Sequence, residues 1–126
     1  MATPPATAVT ILYPSHTAES KPFNMDYYIE THMQMVQTKW PAYGLLNWQV
    51  MKLDEASGWS CQCITYWKDI ESFKKAMSDS QDIIADGANY ASVKPVVLVG
   101  SVVGESPAVW WQWMMRIHRD CAEGAR

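Results

Sequence analysis

The chain has 126 residues, of which 48% are hydrophobic and 18% are charged, and its formal net charge is -3 at pH 7. This length fits one compact domain and leaves too little chain for a second core, so we expect a single fold with a single site. The ten Lys and Arg residues are scattered along the chain. That distribution argues against nucleic acid or an anionic membrane surface as a partner.

The apolar runs are far shorter than the roughly 20 residues of a membrane-spanning helix. The first residues also lack a basic region followed by an apolar block. We therefore expect a soluble, cytoplasmic protein that does not enter a membrane. Cys61 and Cys63 lie two residues apart on one predicted strand, a spacing too strained for an ordinary disulfide, and we interpret them as reduced thiols. The spacing of the Cys and His residues offers no metal site, so we expect no bound metal.

The first half of the chain predicts a strand, a helix and a hairpin. Residues 8–13 form a β-rich run that ends at Pro14, and a polar loop follows. Asn24 can cap a helix in which apolar residues recur at helical spacing as far as Pro41. Residues 46–53 and 60–67 are strand-like runs joined by a loop of hairpin composition. The second and third strands are therefore expected to be adjacent and antiparallel.

The second half predicts another helix and a fourth strand. Asp69 can cap a helix that buries a stripe of apolar residues, namely Ile70, Phe73 and Met77. Residues 80–94 are polar and are interpreted as irregular. Residues 95–103 predict a fourth strand, which we expect to be buried on both faces because apolar residues occupy both of its alternating sets.

The order β-α-β-β-α-β predicts an α+β fold of the ferredoxin-like type, with helices over one face of a four-stranded antiparallel sheet. A single copy leaves the other face of the sheet in water, although the fourth strand is apolar on both faces. Two copies stacked sheet to sheet would cover that face, so we predict a homodimer that forms a dimeric α+β barrel.

The end of the chain goes beyond this plan. Residues 106–121 carry Trp110 and Trp113 within one apolar stripe at helical spacing, which predicts a C-terminal helix. Such a stripe is too apolar to lie in water, so we expect the helix to close over a pocket or over the seam between subunits. The alternative is a helix that only pads the outer surface of the domain. We place the domain at residues 1–104 and a helical extension at residues 105–126.

Several segments resemble one known family. Residues 23–33 (FNMDYYIETHM) contain the pattern F-x-x-x-Y-Y-x-x-x-H within the first predicted helix. With Trp40, Trp67, Phe73 and residues 94–104, this segment resembles the EthD-like family of dimeric α+β barrel proteins, over about residues 8–104. The resemblance implies a homodimer with a pocket between the helices and the sheet of each subunit. It also implies small ligands, often aromatic or polyketide-like, since members include proteins tied to ether degradation and decarboxylases or cyclase-like enzymes of secondary metabolism.

Tyr28 and His32 lie four residues apart on the apolar side of the predicted helix, so both should face the pocket. The unperturbed pKa of histidine lies near neutrality, and a His with a phenol beside it could pass a proton to and from a carbonyl or an enol. We predict that His32 is the catalytic acid/base and that Tyr28 is its hydrogen-bonding neighbour. The alternative is a core histidine bonded to a backbone carbonyl, with Tyr28 as a core residue.

Other residues are candidates for contact with a flat ligand, although aromatic residues at these spacings are also typical of a core. Asn89 and Tyr90 precede the fourth strand, where they could reach the mouth of the pocket and hold a ligand hydroxyl. The candidate substrate-binding residues are Tyr13, Trp40, Trp48, Tyr66, Trp67, Asn89, Tyr90, Trp110 and Trp113.

The chain contains no Gly-rich phosphate loop, nucleophile elbow or dinucleotide fingerprint. We therefore expect no organic cofactor and neither redox nor phosphoryl-transfer chemistry. A dry pocket with one acid/base can perform enolisation, aldol-type cyclisation, dehydration or decarboxylation. The sequence thus predicts a cofactor-independent lyase, cyclase or isomerase that acts on a polyketide-like, aromatic or terpenoid intermediate of secondary metabolism. The alternative is a non-catalytic module that binds a small molecule for a partner oxidase.

Overall fold

The computed structural model describes residues 5–106, and the predicted C-terminal helix lies outside them from its second residue onward, including Trp110 and Trp113. Four strands form one antiparallel sheet in the order β2-β3-β1-β4. Their bounds are β1 Thr7–Pro14, β2 Leu45–Lys52, β3 Trp59–Trp67 and β4 Val96–Ser101. Helical segments follow β1 and β3, so the predicted α+β, ferredoxin-like plan is confirmed.

The first helical region is continuous but changes its pitch. It consists of α1 (Met25–Tyr27), a π-helical turn (Tyr28–His32), α2 (Met33–Lys39) and a final 3-10 turn (Trp40–Tyr43). The side chain of Asn24 accepts a hydrogen bond from the backbone N–H of Tyr27 and caps the first turn, as predicted. Gly44 ends the region with a φ of 122°, and an added Cβ there would collide with Ser72, so the tight passage into β2 requires glycine.

The second helical region is longer than the sequence predicted. Asp69 caps α3 (Ile70–Ser78), as expected, but α4 (Gln81–Ala85) and a 3-10 turn (Asp86–Asn89) follow it. The prediction that residues 80–94 are irregular was therefore wrong for residues 81–89. A five-residue helix spans little more than one turn, so it cannot display the repeating apolar stripe by which a helix is recognised in a sequence.

The core lies between the helices and one face of the sheet. Alternate residues of β3 point into it, namely Cys61, Cys63, Thr65 and Trp67, and all four are buried. Cys61 and Cys63 are free thiols, and burial raises their pKa values to about 12 and about 11. Both side chains therefore stay protonated near neutral pH and act as small apolar core residues.

The edge strand β4 differs from the rest of the sheet. Among the described strands it pairs with β1 alone, and its apolar side chains are only half-buried, with Val97 50% and Leu98 55% exposed. The prediction that this strand is buried on both faces does not hold within the single chain, because the buried core is formed under the other strands and helices. In the described part of the chain, no helix has the length and apolar character needed to cross a membrane.

Candidate active site

His32 ends the π-helical turn in the first helical region. A π turn interrupts an α-helix locally and is frequent at functional sites. Within this turn Tyr28 and His32 are buried, while Glu30 and Thr31 are exposed. The turn thus directs the two rings into the protein, in agreement with the shared face that their spacing predicted.

Tyr28 contacts His32 by stacking. The ring centroids are 5.3 Å apart and the ring planes differ by 11°. The predicted hydrogen bond between them is not formed, since the hydrogen bonds of the His32 ring go to Asp86 and Tyr90. Stacked rings present their faces to each other, whereas the nitrogens of the imidazole bond in the plane of the ring. The stacking therefore explains why His32 and Tyr28 form no hydrogen bond. Burial raises the pKa of Tyr28 far above its ordinary value, so its phenol keeps its proton.

Asp86 holds one side of the imidazole. Its Oδ2 lies 3.0 Å from Nδ1 of His32. Its Oδ1 accepts hydrogen bonds from the hydroxyl of Tyr27 at 2.7 Å and from Nδ2 of Asn89 at 2.9 Å. Both carboxylate oxygens therefore have partners, which fixes the carboxylate against His32. Sequence reasoning missed Asp86 because it lies in the stretch interpreted as irregular.

The protonation states follow from these contacts. Burial lowers the pKa of His32 below 6.5, although the hydrogen bond to Asp86 and the charge of Asp86 act in the opposite direction. Burial acts to raise the pKa of Asp86, but hydrogen bonds from Asn89, Tyr27 and His32 hold it below 3.8. Near pH 7, Asp86 is thus ionised and His32 is neutral. Because the carboxylate can only accept, Nδ1 of His32 carries the ring proton and Nε2 presents a lone pair.

The Nε2 side of His32 is formed by phenols. The hydroxyl of Tyr90 lies 3.4 Å from Nε2, and the hydroxyl of Tyr13 lies 2.8 Å from that of Tyr90. Both tyrosines are 5% exposed. The two sides of the imidazole therefore differ, with a carboxylate on one and neutral hydroxyls on the other.

An open pocket of about 490 Å³ lies beside these groups, and His32, Tyr13 and Tyr90 are part of its wall. Most of the wall is apolar and comes from β1, α3, α4, the segment before β4 and β4 itself, including Ile11, Met77, Ile83, Ala91, Val93 and Val97. Pockets with apolar walls and a few convergent polar groups are the usual form of small-molecule sites. Here the polar side chains of the wall are those of His32, Tyr13, Tyr90, Ser92 and Lys94.

Of the other residues predicted to bind substrate, some line the pocket and others lie elsewhere. Trp40 lines the pocket, and its Nε1 donates to Ser80. Trp67 lies in the core and donates to Thr65. Trp48 of β2 is partly buried against the core, and its Nε1 donates to Gln37 of α2. Tyr66 points to the face of the sheet away from the helices, since it alternates with the buried residues of β3.

Asn89 contacts Asp86 and does not line the pocket, while Trp110 and Trp113 lie outside the described residues. The structure thus brings Tyr13, Trp40 and Tyr90 to the same pocket as His32. Across residues 5–106, no three His, Cys, Asp or Glu side chains are grouped so as to hold a metal ion.

Comparison with protein-family models and with curated protein sequences gives no match. Solved structures do match. An EthD-like protein from Ralstonia eutropha JMP134 is 25% identical with a TM-score of 0.66, over 81% of this chain and 96% of that one. An ethyl tert-butyl ether D (EthD) family protein from Bacillus halodurans C-125 is 21% identical with a TM-score of 0.59, over 80% and 99%. A hydroxynitrile lyase from Passiflora edulis is 15% identical with a TM-score of 0.60, over 82% and 100%.

These similarities agree with the element order and the sheet topology. The chain is a ferredoxin-like α+β protein. Within that class it has the structure of the EthD-like proteins, which confirms the resemblance found in its sequence. A shared fold of this kind leaves the reaction to be argued from the site itself.

Proposed function

We propose that the chain is a cofactor-independent lyase, cyclase or isomerase in which His32 removes a proton from a small molecule bound in the apolar pocket. One observation carries the proposal: the carboxylate of Asp86 holds Nδ1 of His32 while Nε2 lies on the side of the Tyr90 hydroxyl, and both His32 and Tyr90 belong to the pocket wall. A general base needs an available lone pair at the pH of the reaction, and a neutral, oriented imidazole has one.

The surroundings of His32 suit both halves of a proton transfer. The lowered pKa keeps the ring unprotonated near pH 7, so it is ready to accept. Once Nε2 has taken a proton, the ring becomes a cation that faces the carboxylate of Asp86 at 3.0 Å. That attraction is strong in a site shielded from water and offsets part of the cost of the buried charge. Asp86 is therefore a positioning residue that acts through His32.

The pocket supports an apolar substrate. Its wall is mainly aliphatic, and Trp40 and Tyr13 add aromatic surface on which a flat ring could stack. We propose a polyketide-like, aromatic or terpenoid molecule of secondary metabolism as the substrate. The hydroxynitrile lyase among the structural matches is a lyase of the same fold, so the fold is compatible with lyase chemistry.

Hydrogen exchange in a simple ketone tests the proposal. 2-Tetralone is an apolar bicyclic ketone with acidic hydrogens next to its carbonyl group, and NMR in deuterated buffer follows the loss of those hydrogens. We expect the protein to accelerate the exchange and His32→Ala to slow the protein-catalysed rate by about 10²-fold or more. His16→Ala is the matched control, because His16 is exposed in the loop after β1. Full exchange activity in folded His32→Ala would contradict the proposal.

The alternative function is a non-catalytic module that binds a small molecule for a partner oxidase. The same apolar pocket favours it, because such a pocket binds ligands whether or not chemistry follows. Trp40 in the pocket wall provides the signal that separates the two functions. If 2-tetralone quenches Trp fluorescence while its exchange proceeds no faster than in buffer, the binding module is favoured.

We also propose that two copies pair through the sheet face that carries no helices. Apolar side chains of three strands lie on that face, namely Leu12, Ile64, Val96 and Leu98, and burying them in a symmetric dimer would be favourable. Sedimentation at micromolar concentration should detect a dimer, and a monomer would contradict the proposal. Residues 105–126 are the other part of the chain that could cover this face. If a second copy covers it instead, truncation after Gly104 should leave the dimer intact.

A further inference from the structure

The hydrogen bonds on the Nε2 side of His32 have one consistent direction. Nδ1 carries the ring proton because Asp86 can only accept there, so Nε2 must accept. Tyr90 is then the donor to Nε2, and the bond between the two phenols requires Tyr13 to donate to Tyr90. The chain of donors runs from Tyr13 through Tyr90 to His32, and its last proton is directed at the base.

We propose that Tyr90, supported by Tyr13, binds the oxygen at which negative charge develops during the reaction, and that the substrate is a carbonyl compound with an acidic hydrogen next to its carbonyl group. This inference rests on the proposed function and adds the chemical class of its substrate. It assigns Tyr90 a catalytic role, and it assigns Tyr13 the role of positioning residue.

The spacing of the two groups suits such a substrate. The distance of 3.4 Å between Nε2 and the Tyr90 oxygen is long for a hydrogen bond, so a carbonyl oxygen can compete for the proton of Tyr90. In a carbonyl compound, the oxygen and the adjacent carbon are separated by only two bonds. One molecule can therefore present a C–H to Nε2 and its oxygen to Tyr90, and both groups belong to the pocket wall.

Binding of the carbonyl oxygen releases Nε2 for proton transfer, because the hydroxyl of Tyr90 turns from the single lone pair of Nε2 to that oxygen and leaves the lone pair free for the C–H. The C–H bond breaks and an N–H bond forms at Nε2, while the electron pair of the broken bond forms a carbon–carbon double bond. The π pair of the carbonyl group moves to its oxygen. Protonated Nε2 can no longer accept, so the hydroxyl of Tyr90 stays on the new oxyanion and donates to it. No proton leaves Tyr90, and the proton on Nε2 is later returned to the product or to a leaving group.

The acidity of the phenols agrees with a role as donors. Burial raises the pKa of Tyr13 to about 12, and it raises that of Tyr90 further. Both hydroxyls therefore keep their protons near neutral pH. The neighbouring Tyr27 has a different task, because its hydroxyl donates to Asp86 on the opposite side of His32.

Binding of 4-nitrophenol tests the inference without any turnover. The oxygen of 4-nitrophenolate resembles that of an enolate, and 4-nitrotoluene has a similar shape without that oxygen. We expect Tyr90→Phe to weaken the binding of 4-nitrophenolate by about 10-fold or more, as for a lost hydrogen bond to a charged group. Tyr13→Phe should weaken it less, since Tyr13 only polarises Tyr90. Binding of 4-nitrotoluene should not change in either variant, which also reports that the pocket remains folded.

Tyr43→Phe is the matched control variant. The hydroxyl of Tyr43 donates to Asp79 at 2.9 Å, and Tyr43 does not line the pocket. Unchanged 4-nitrophenolate binding in Tyr90→Phe would overturn the inference, as would an equal loss of both ligands or no binding by the wild-type chain. A normal exchange rate in His32→Ala with weakened phenolate binding in Tyr90→Phe would instead reject the proposed base and keep the oxygen site.

Discussion

The two sides of the His32 ring are built from different chemical groups. On the Nδ1 side lie Asp86 and the polar groups that hold it, Tyr27 and Asn89, at the partly exposed 3-10 turn before β4. On the Nε2 side lie Tyr90 and Tyr13, both buried beside the apolar pocket. A histidine with similar groups on both sides could adopt either tautomer. Here the carboxylate selects one, and the lone pair is left on the side of the pocket.

The same difference explains how a buried histidine can remain useful as a base. Burial alone would make the protonated ring too costly, whereas a carboxylate alone would keep the ring charged. The two effects oppose each other at His32, and burial is the larger. The ring is consequently neutral at rest and has a partner for its charge when it accepts a proton.

Removing the charge on the Nδ1 side should have the largest effect. We expect Asp86→Asn to slow the exchange of 2-tetralone by about 10²-fold, because the imidazolium loses its counter-charge and the amide can select the wrong tautomer. Asp86 raises the pKa of His32, so its removal should also move the low-pH limb of the rate profile to lower pH. The measurement is the exchange rate as a function of pH.

Asp82→Asn is the control for that variant, because Asp82 is an exposed residue of α4 that pairs with Lys39. If Asp86→Asn keeps the wild-type rate and pH profile, the carboxylate is dispensable and the two sides of the ring do not differ in function.

A second prediction concerns stability as a function of pH. The folded-state pKa of His32 lies below its ordinary value of 6.5, so the unfolded chain binds a proton that the folded chain does not. The stability due to neutral His32 should be present above about pH 6.5 and be lost as the pH falls toward the folded-state pKa. Chemical denaturation at several pH values should show this loss in the wild-type chain and a weaker dependence in His32→Gln. Parallel curves for the two proteins would mean that burial does not perturb His32.

The smallest effect is expected for Tyr28→Phe, which tests the role that the sequence suggested. The Tyr28 ring stacks on His32, and the hydrogen bonds of the imidazole go to Asp86 and Tyr90 rather than to the Tyr28 hydroxyl. Loss of the hydroxyl should therefore leave the exchange rate unchanged. A rate as low as that of Asp86→Asn would restore Tyr28 as a catalytic neighbour of His32.

The sequence predicted the features that depend on local patterns. The caps at Asn24 and Asp69 and the hairpin between β2 and β3 follow from a few neighbouring residues, and all three are confirmed. The shared face of Tyr28 and His32 also follows from local spacing. The fold class could be predicted for the same reason, because it follows from the order of the elements that these local patterns define.

Contacts between distant segments could not be predicted in this way. Asp86 is 54 residues from His32 and is one of thirteen acidic residues, and nothing next to it distinguishes it. The only local signal was the polar pair Asn89 and Tyr90, which sequence reasoning placed at the pocket mouth. Tyr90 does reach the pocket, whereas Asn89 donates a hydrogen bond to Asp86, which the sequence did not indicate as a site residue.

The central claim is that Asp86 fixes the proton of His32 on Nδ1 and leaves Nε2 as the base. Nitrogen-15 NMR of the histidine ring at neutral pH tests this claim directly, since protonated and unprotonated ring nitrogens have distinct chemical shifts. We predict a neutral His32 ring with the proton on Nδ1 in the wild-type chain and a mixture of tautomers in Asp86→Asn. A ring that is doubly protonated, or neutral with the proton on Nε2, would contradict the account.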